Sequence, residues 1–160
     1  MYDLKIPERC ELTDVFSYLT LVDGAIYETI VALNKKNYKT FASCSGHTCP
    51  VYNDTHCFVG IVFPSIREAS YFIDSNTETL LKYNTTWIIT NKFVCNNQKH
   101  QNFQYWDSTI PWETNTKYIN EKLKLNYEKA YFVTLEHNDL NLLKQTIVEI
   151  LENKVTYRTL

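Results

Sequence analysis

Five consecutive residues at positions 43–47, with the sequence Ser-Cys-Ser-Gly-His, combine a thiol, two hydroxyls, an imidazole and a flexible glycine. Backbone amides and hydroxyls in such a loop can bind the oxygens of an anion, as phosphate-binding turns do. The loop lacks the glycine-and-lysine pattern of a P-loop, so its spacing does not specify a nucleotide. A simple turn around a buried cysteine is the alternative. We predict that the loop binds a small anionic ligand through Ser43, Cys44, Ser45, Gly46 and His47.

Cys44 and His47 could also act as a nucleophile and its base, because a nearby imidazolium lowers the pKa of a thiol. The sequence shows no third group that would orient His47 and no paired-carboxylate motif. Binding is therefore favoured over catalysis, and an enzyme that depends on Cys44 and His47 stays an alternative.

Zinc is a further alternative, because Cys44, His47 and Cys49 lie close together and are followed by His56 and Cys57. Structural zinc takes four such ligands in a tetrahedron. The spacing matches no standard zinc finger, and His56 and Cys57 would point to opposite faces of a strand. We predict no cofactor, with zinc at Cys44, His47 and Cys49 as the weaker hypothesis.

Two tryptophans and one aspartate complete the predicted binding site. Trp106 and Trp112 lie in a polar stretch, where aromatic side chains often line a pocket for a flat ligand such as a base. They would equally suit a protein interface. Asp23 is expected to cap the first helix. Since that helix leads into the strand before the loop, Asp23 could also face the same end of the sheet as residues 43–47.

Hydrophobic periodicity indicates the elements that position this loop. Ile26, Ile30 and Leu33 recur at helical spacing, and residues 38–43 are predicted to form an alternating strand that leads into the loop. The nearly continuous apolar run Cys57–Phe63 is typical of a central strand, with Phe63 in the core. The loop is thus expected to lie at one end of a sheet.

A capping box begins the next helix. Ser65 is expected to accept a hydrogen bond from the backbone N–H of Glu68, whose side chain reaches back to Ser65. Ile66, Ala69 and Ile73 then predict a buried stripe along one side of this helix.

The second half of the chain is less regular. Residues 85–95 alternate like a strand, with Trp87 expected in the core, and residues 103–107 are predicted to return as its hairpin partner. Residues 115–136 fit either a helix or a strand. A final helix is predicted after Asn138, with an apolar stripe that contains Leu143, Ile147, Ile150 and Leu151.

Length and composition favour one globular domain over residues 1–160. The chain is 44% hydrophobic and 21% charged, and its element order predicts an α+β fold: a mainly antiparallel sheet of about four to five strands with helices packed on one face. The net charge of −2 argues against a nucleic-acid partner. No apolar run approaches the ~20 residues of a membrane helix, and no secretory signal is evident. We expect a cytoplasmic protein with reduced cysteines, which could form a homo-oligomer.

Residues 22–73 resemble a family of small, mostly uncharacterised proteins of phages and Gram-positive bacteria. The matching segments are Asp23-Gly24-Ala25-Ile26, Leu33-Asn34, Tyr38-Lys39-Thr40, Ser43-Cys44-Ser45-Gly46-His47 and the apolar strand at residues 58–63. A glycine-poor composition rich in Asn and Lys also suits an AT-rich phage or host genome. The resemblance implies that the protein acts in the host cytoplasm, where it would sequester a nucleotide signal of host defence or inhibit a host factor.

The segment Ser43-Cys44-Ser45-Gly46 is also similar to the Ser-Cys-Ser-Gly-Arg segment of the tRNA wybutosine-synthesis methyltransferase. That similarity would imply an enzyme that uses S-adenosylmethionine and acts on tRNA. His47 stands in place of the arginine, and the negative net charge argues against tRNA.

Overall fold

The computed structural model describes residues 9–11, 21–46, 57–94 and 113–153. In chain order the described elements are β1 (Arg9–Glu11), β2 (Leu21–Asp23), α1 (Gly24–Lys35), β3 (Lys39–Cys44), β4 (Cys57–Phe63), α2 (Ile66–Ser75), α3 (Thr77–Lys82), β5 (Thr86–Thr90), β6 (Phe93–Val94), β7 (Glu113–Thr114), α4 (Thr116–Leu123), β8 (Tyr131–His137) and α5 (Leu140–Glu152). None of the described helices has the length and apolar content needed to cross a membrane.

Four strands form one antiparallel sheet in the order β3-β4-β8-β5. Two short pairs, β1 with β2 and β6 with β7, lie outside it. The apolar run that forms β4 lies between β3 and β8, which confirms the predicted central strand. A four-stranded antiparallel sheet with five helices in the described part of the chain confirms the predicted α+β class.

The main core lies on the side of the sheet that α1, α2, α3 and α5 cover, which we call the helix side. Side chains alternate along a strand, so every second residue of β4 faces these helices. Val59, Ile61 and Phe63 of β4 are each fully buried there, beside Val133 and Leu135 of β8. The helices contribute Ile26, Ile30, Leu33, Ala69, Phe72, Ile73, Leu80, Leu143, Ile147, Ile150 and Leu151.

A second, smaller core covers the opposite side of the sheet. Val62 of β4 and Phe132 of β8 pack there against Ile119 and Leu123 of α4. A strand that is apolar on both faces needs cover on both, and α4 supplies part of it. The predicted placement of helices on one face therefore holds for four helices, and the fifth lies across the sheet from them.

The capping box at the start of α2 forms as predicted on its Ser65 side. The Glu68 backbone N–H donates to Ser65 Oγ at 3.1 Å. Ala69 and Ile73 are buried as expected, but Ile66 is 48% exposed, so its place in the buried stripe was predicted wrongly. Ile66 is the first helical residue, where the chain has only just turned away from the end of β4.

The predicted strand over residues 85–95 is shorter than its alternation indicated. β5 ends at Thr90, a bend follows at residues 91–92, and β6 pairs with β7 instead of the main sheet. Trp87 is 47% exposed, so its predicted place in the core is wrong. The reason is that β5 lies at the edge of the described sheet, where one flank has no neighbouring strand to cover a large ring.

The ambiguous stretch at residues 115–136 contains both a helix and a strand, α4 and most of β8. The predicted final helix is confirmed as α5, and its side-chain cap is Asp139, which accepts from the Leu142 N–H at 3.2 Å. The hairpin strand predicted at residues 103–107 lies outside the described residues.

Tyr38 gives the fold a measurable response to alkaline pH. Its ring packs edge-on against Phe63 and Phe72 in the main core, and burial raises its pKa to about 12. A tyrosine in the unfolded chain ionises near pH 10. The stabilisation is therefore fully present below about pH 10 and is lost as pH rises from about 10 to 12, by about 2–3 kcal/mol in all.

Urea unfolding of the wild type and of Tyr38→Phe across this pH window tests the prediction. The phenylalanine ring preserves the packing and removes the ionisable hydroxyl. We expect the wild type to lose more stability than the variant between about pH 10 and 12. Parallel losses in the two proteins would contradict the assignment to Tyr38.

Candidate ligand-binding site

The end of β3 and the start of α1 meet through a buried carboxylate. Asp23, the last residue of β2, is 3% exposed. Its Oδ2 atom accepts two hydrogen bonds from Ser45, one from the backbone N–H at 3.1 Å and one from Oγ at 3.2 Å. A residue before the first helix thus holds the loop that leaves β3, which confirms that Asp23 lies at the same end of the sheet as the loop.

The expected capping role of Asp23 is wrong. α1 begins at Gly24, yet the Asp23 side chain makes no capping hydrogen bond to this helix. Its carboxylate is turned toward Ser45, which offers two donors to one oxygen. The first turn of α1 therefore keeps its partial positive charge without a side-chain cap.

Two thiols also make hydrogen bonds to this loop. Gly46 has a φ of 88°, a left-handed conformation that glycine adopts without strain. Its N–H donates to Cys44 Sγ at 3.4 Å. The Cys57 thiol donates to the Ser45 carbonyl at 3.3 Å, so both the N–H and the carbonyl of Ser45 are held in place.

A register irregularity in β3 sets which side chains face the site. Thr40 pairs with Ile61 and Ser43 with Val59, with an extra residue of β3 between the pairs. Both threonine and serine therefore face the helix side, whereas unbroken alternation would place them on opposite faces. The predicted alternation of residues 38–43 is wrong at this point. Cys44, one residue on, is turned to the other face, where it pairs with Phe58.

The chain matches no protein-family model, no curated protein and no solved structure. The resemblance to phage and Gram-positive proteins over residues 22–73, and the similarity to the wybutosine-synthesis methyltransferase, therefore stay predictions. The chemistry of this site has to be inferred from its own geometry.

The structure brings five of the predicted site residues together: Asp23, Ser43, Cys44, Ser45 and Gly46. The other predicted site residues lie outside the described part of the chain: His47, Cys49, Trp106 and Trp112. Within the described ranges, no three His, Cys, Asp or Glu side chains gather as a metal ion would require. Zinc at Cys44, His47 and Cys49 stays a hypothesis.

A lysine from the last helix contacts the first turn of α1, the helix that follows Asp23. Lys144 Nζ donates to the Ala25 carbonyl at 3.1 Å, two residues beyond Asp23 in the chain. This brings an ammonium group to the first turn of α1. No sequence pattern predicts this contact, because Lys144 is 119 residues from Ala25 and the signal of its helix is the apolar side alone.

Cys44 and Cys57 are both reduced and buried, at 7% and 2% exposure. A buried thiol reacts slowly, because a reagent reaches it only when the structure opens. We expect each to react with a disulfide reagent at least about tenfold more slowly in the folded protein than in urea. Mass spectrometry of peptides after timed labelling measures this, and fast folded-state labelling of Cys44 would favour the cysteine enzyme.

Proposed function

We propose that this protein binds a small anionic, nucleotide-like ligand at the loop of residues 43–47, beside Asp23. The observation that supports this most directly is the convergence of the Ser45 N–H and hydroxyl on a single carboxylate oxygen, at 3.1 and 3.2 Å. Protein loops bind phosphates and carboxylates in the same way, with two donors directed at one oxygen.

An incoming oxyanion has two ways to use this loop. It can displace the Asp23 carboxylate from the Ser45 donors, or bind beside it at the Gly46 N–H. The present acceptor of that N–H is the Cys44 sulfur, at 3.4 Å, and thiol sulfur is a weak acceptor. Exchange of sulfur for a phosphate oxygen would strengthen the hydrogen bond.

The charges around the loop favour an anion from two directions and oppose it from one. The Lys144 ammonium lies on the first turn of α1, whose N–H groups carry partial positive charge without a side-chain cap. The Asp23 carboxylate repels a negative ligand. Removal of the Asp23 charge should therefore increase the affinity for an anion, and the direction of this change can be tested.

The resemblance to phage proteins supports a specific purpose, the sequestration of a nucleotide signal of host defence. A sequestering protein releases its ligand unchanged, whereas a Cys/His-dependent or S-adenosylmethionine-dependent enzyme alters it. Chromatography of nucleotide recovered after long incubation and denaturation separates these two classes. An inhibitor of a host factor would instead use Trp106 and Trp112.

Isothermal titration of a panel of nucleoside monophosphates, triphosphates and cyclic dinucleotides tests the proposal. We expect at least one to bind the wild type. Asp23→Asn should bind it several-fold more tightly, because the amide keeps an acceptor for Ser45 but loses the charge. Lys144→Gln should weaken binding several-fold. The matched control is Lys35→Gln, an exposed lysine at the far end of α1.

Thermal unfolding of each variant confirms that it is folded before its affinity is compared. Uniform absence of wild-type binding would overturn the proposal. Tighter binding to a cationic ligand, with weaker binding after Asp23→Asn, would overturn the anionic class and leave the site in place.

A further inference from the structure

Among the described strands, β5 lies at the edge of the main sheet, and its own residues carry neither a charge nor a proline that would protect this edge. It pairs with β8 alone among the described strands, so alternate N–H and C=O groups along its other flank face away from the described sheet. Protected edges carry a charged side chain, a proline or a bulge. The β5 sequence, Thr-Trp-Ile-Ile-Thr, contains no charge and no proline, and its pairing with β8 is regular.

Apolar side chains are exposed on both faces of this edge. Trp87 pairs with Leu135 on the helix side and is 47% exposed, and Ile88 pairs with Thr134 on the other face and is 50% exposed. Isolated exposed apolar residues are ordinary on a protein surface. Two adjacent ones on an uncharged edge strand instead present a template for pairing with another strand.

The residues of β5 are complementary to β5 itself. Antiparallel pairing of two copies about a two-fold axis at Ile88 places Ile88 opposite Ile88 of the other copy. The same register pairs Trp87 with Ile89 and Thr86 with Thr90. Each is a favourable cross-strand pair: two β-branched residues, an aromatic with a β-branched residue, and two threonines.

The faces on which the paired residues lie, and the charges of the flanking residues, agree with this register. Two residues that face each other across an antiparallel pair must lie on the same face, and every pair centred on Ile88 satisfies that condition. Two residues beyond each end of the strand, Lys92 would lie opposite Asn84. No two like charges therefore oppose each other along the pairing.

We infer that two copies of this chain associate through β5 into a two-fold dimer with a continuous eight-stranded antiparallel sheet. A two-fold contact uses the same surface on both copies and closes the assembly at two. One five-residue strand offers a small contact area compared with permanent dimers. The dimer is therefore reversible and depends on concentration.

Sedimentation velocity from low micromolar to near-millimolar protein tests the inference. The wild type should shift from the mass of one chain, 18.9 kDa, toward twice that mass. Ile88→Lys places two ammonium groups opposite each other at the two-fold axis, and should weaken association at least tenfold. The control is Leu81→Lys on α3, a 76% exposed leucine outside β5, which should associate like the wild type.

Circular dichroism shows that each variant is folded, and hydrogen exchange of the β5 amides should slow as concentration rises. A wild type that stays monomeric throughout would overturn the inference. The edge would then be left to a strand from a different protein. A dimer that survives Ile88→Lys, or that Leu81→Lys disrupts instead, would also overturn it. None of these outcomes bears on ligand binding at residues 43–47, which is tested separately by titration.

Discussion

Replacement of Phe63 by alanine is expected to lower the free energy of unfolding by about 3–5 kcal/mol. Phe63 ends the central strand β4 and is 0% exposed. Its ring contacts the rings of Tyr38 and Phe72, with centroids 6.4 and 5.3 Å away. Truncation therefore removes a large buried side chain and leaves a cavity between the sheet and α2, which these well-packed neighbours cannot fill.

Urea unfolding followed by circular dichroism measures this loss, and Tyr71→Ala is the matched control. Tyr71 is also an aromatic residue, on α2 next to Phe72 in the sequence, but it is 55% exposed. Its truncation should cost about 1 kcal/mol or less. Equal losses from the two substitutions would contradict the placement of Phe63 in the core.

Gly60 is expected to tolerate no side chain, and Gly60→Val should cost about 3 kcal/mol or more. A Cβ atom at this position would lie 2.9 Å from Cδ1 of Phe41 and closer still to the Cε1 and Cζ atoms of the same ring. That ring cannot turn aside, since Phe41 is 0% exposed and packs edge-on against Phe132 with centroids 4.8 Å apart. The glycine therefore leaves room for an aromatic pair on the α4 side of the sheet.

A double-mutant cycle separates this overlap from the general effect of a substitution in a strand. In a Phe41→Leu background, Gly60→Ala should cost at least about 1 kcal/mol less than in the wild type. Gly24→Ala, in the first turn of α1 with an ordinary φ, should be close to neutral. Additive costs for Gly60 and Phe41 would show that the two residues do not compete for space.

The sequence predicted elements whose signal is local and failed where position depends on distant partners. The apolar run of β4 and the helical spacing of Ile26, Ile30 and Leu33 were sufficient, because each pattern lies within one element. β8 was missed because residues 115–136 combine a helix, a loop and most of a strand. Trp87 is misplaced because the alternation of residues 85–95 indicates a strand without showing whether that strand lies at the edge of the sheet.

The candidate site shows the same division. The composition of residues 43–47 predicts a binding loop, and chain order predicts that Asp23 lies at the same end of the sheet. The Asp23 carboxylate accepts hydrogen bonds from Ser45 instead of capping α1. This contact joins residues 22 positions apart, so hydrophobic periodicity cannot predict it. The displaced register before Ser43 and the arrival of Lys144 likewise arise only when the sheet and the helices have packed.

The strand order has a consequence for synthesis of the chain. β4 and β5 lie on either side of β8, so the sheet cannot be completed until residues 131–137 have left the ribosome. Until then, β3 is the one described strand available to pair with β4, whose apolar side chains lack most of their final cover. Contacts between distant parts of a chain slow folding and prolong exposure of unpaired strands. We therefore expect the main sheet to form late, only once β8 is available, and the nascent chain to be a substrate for chaperones until then.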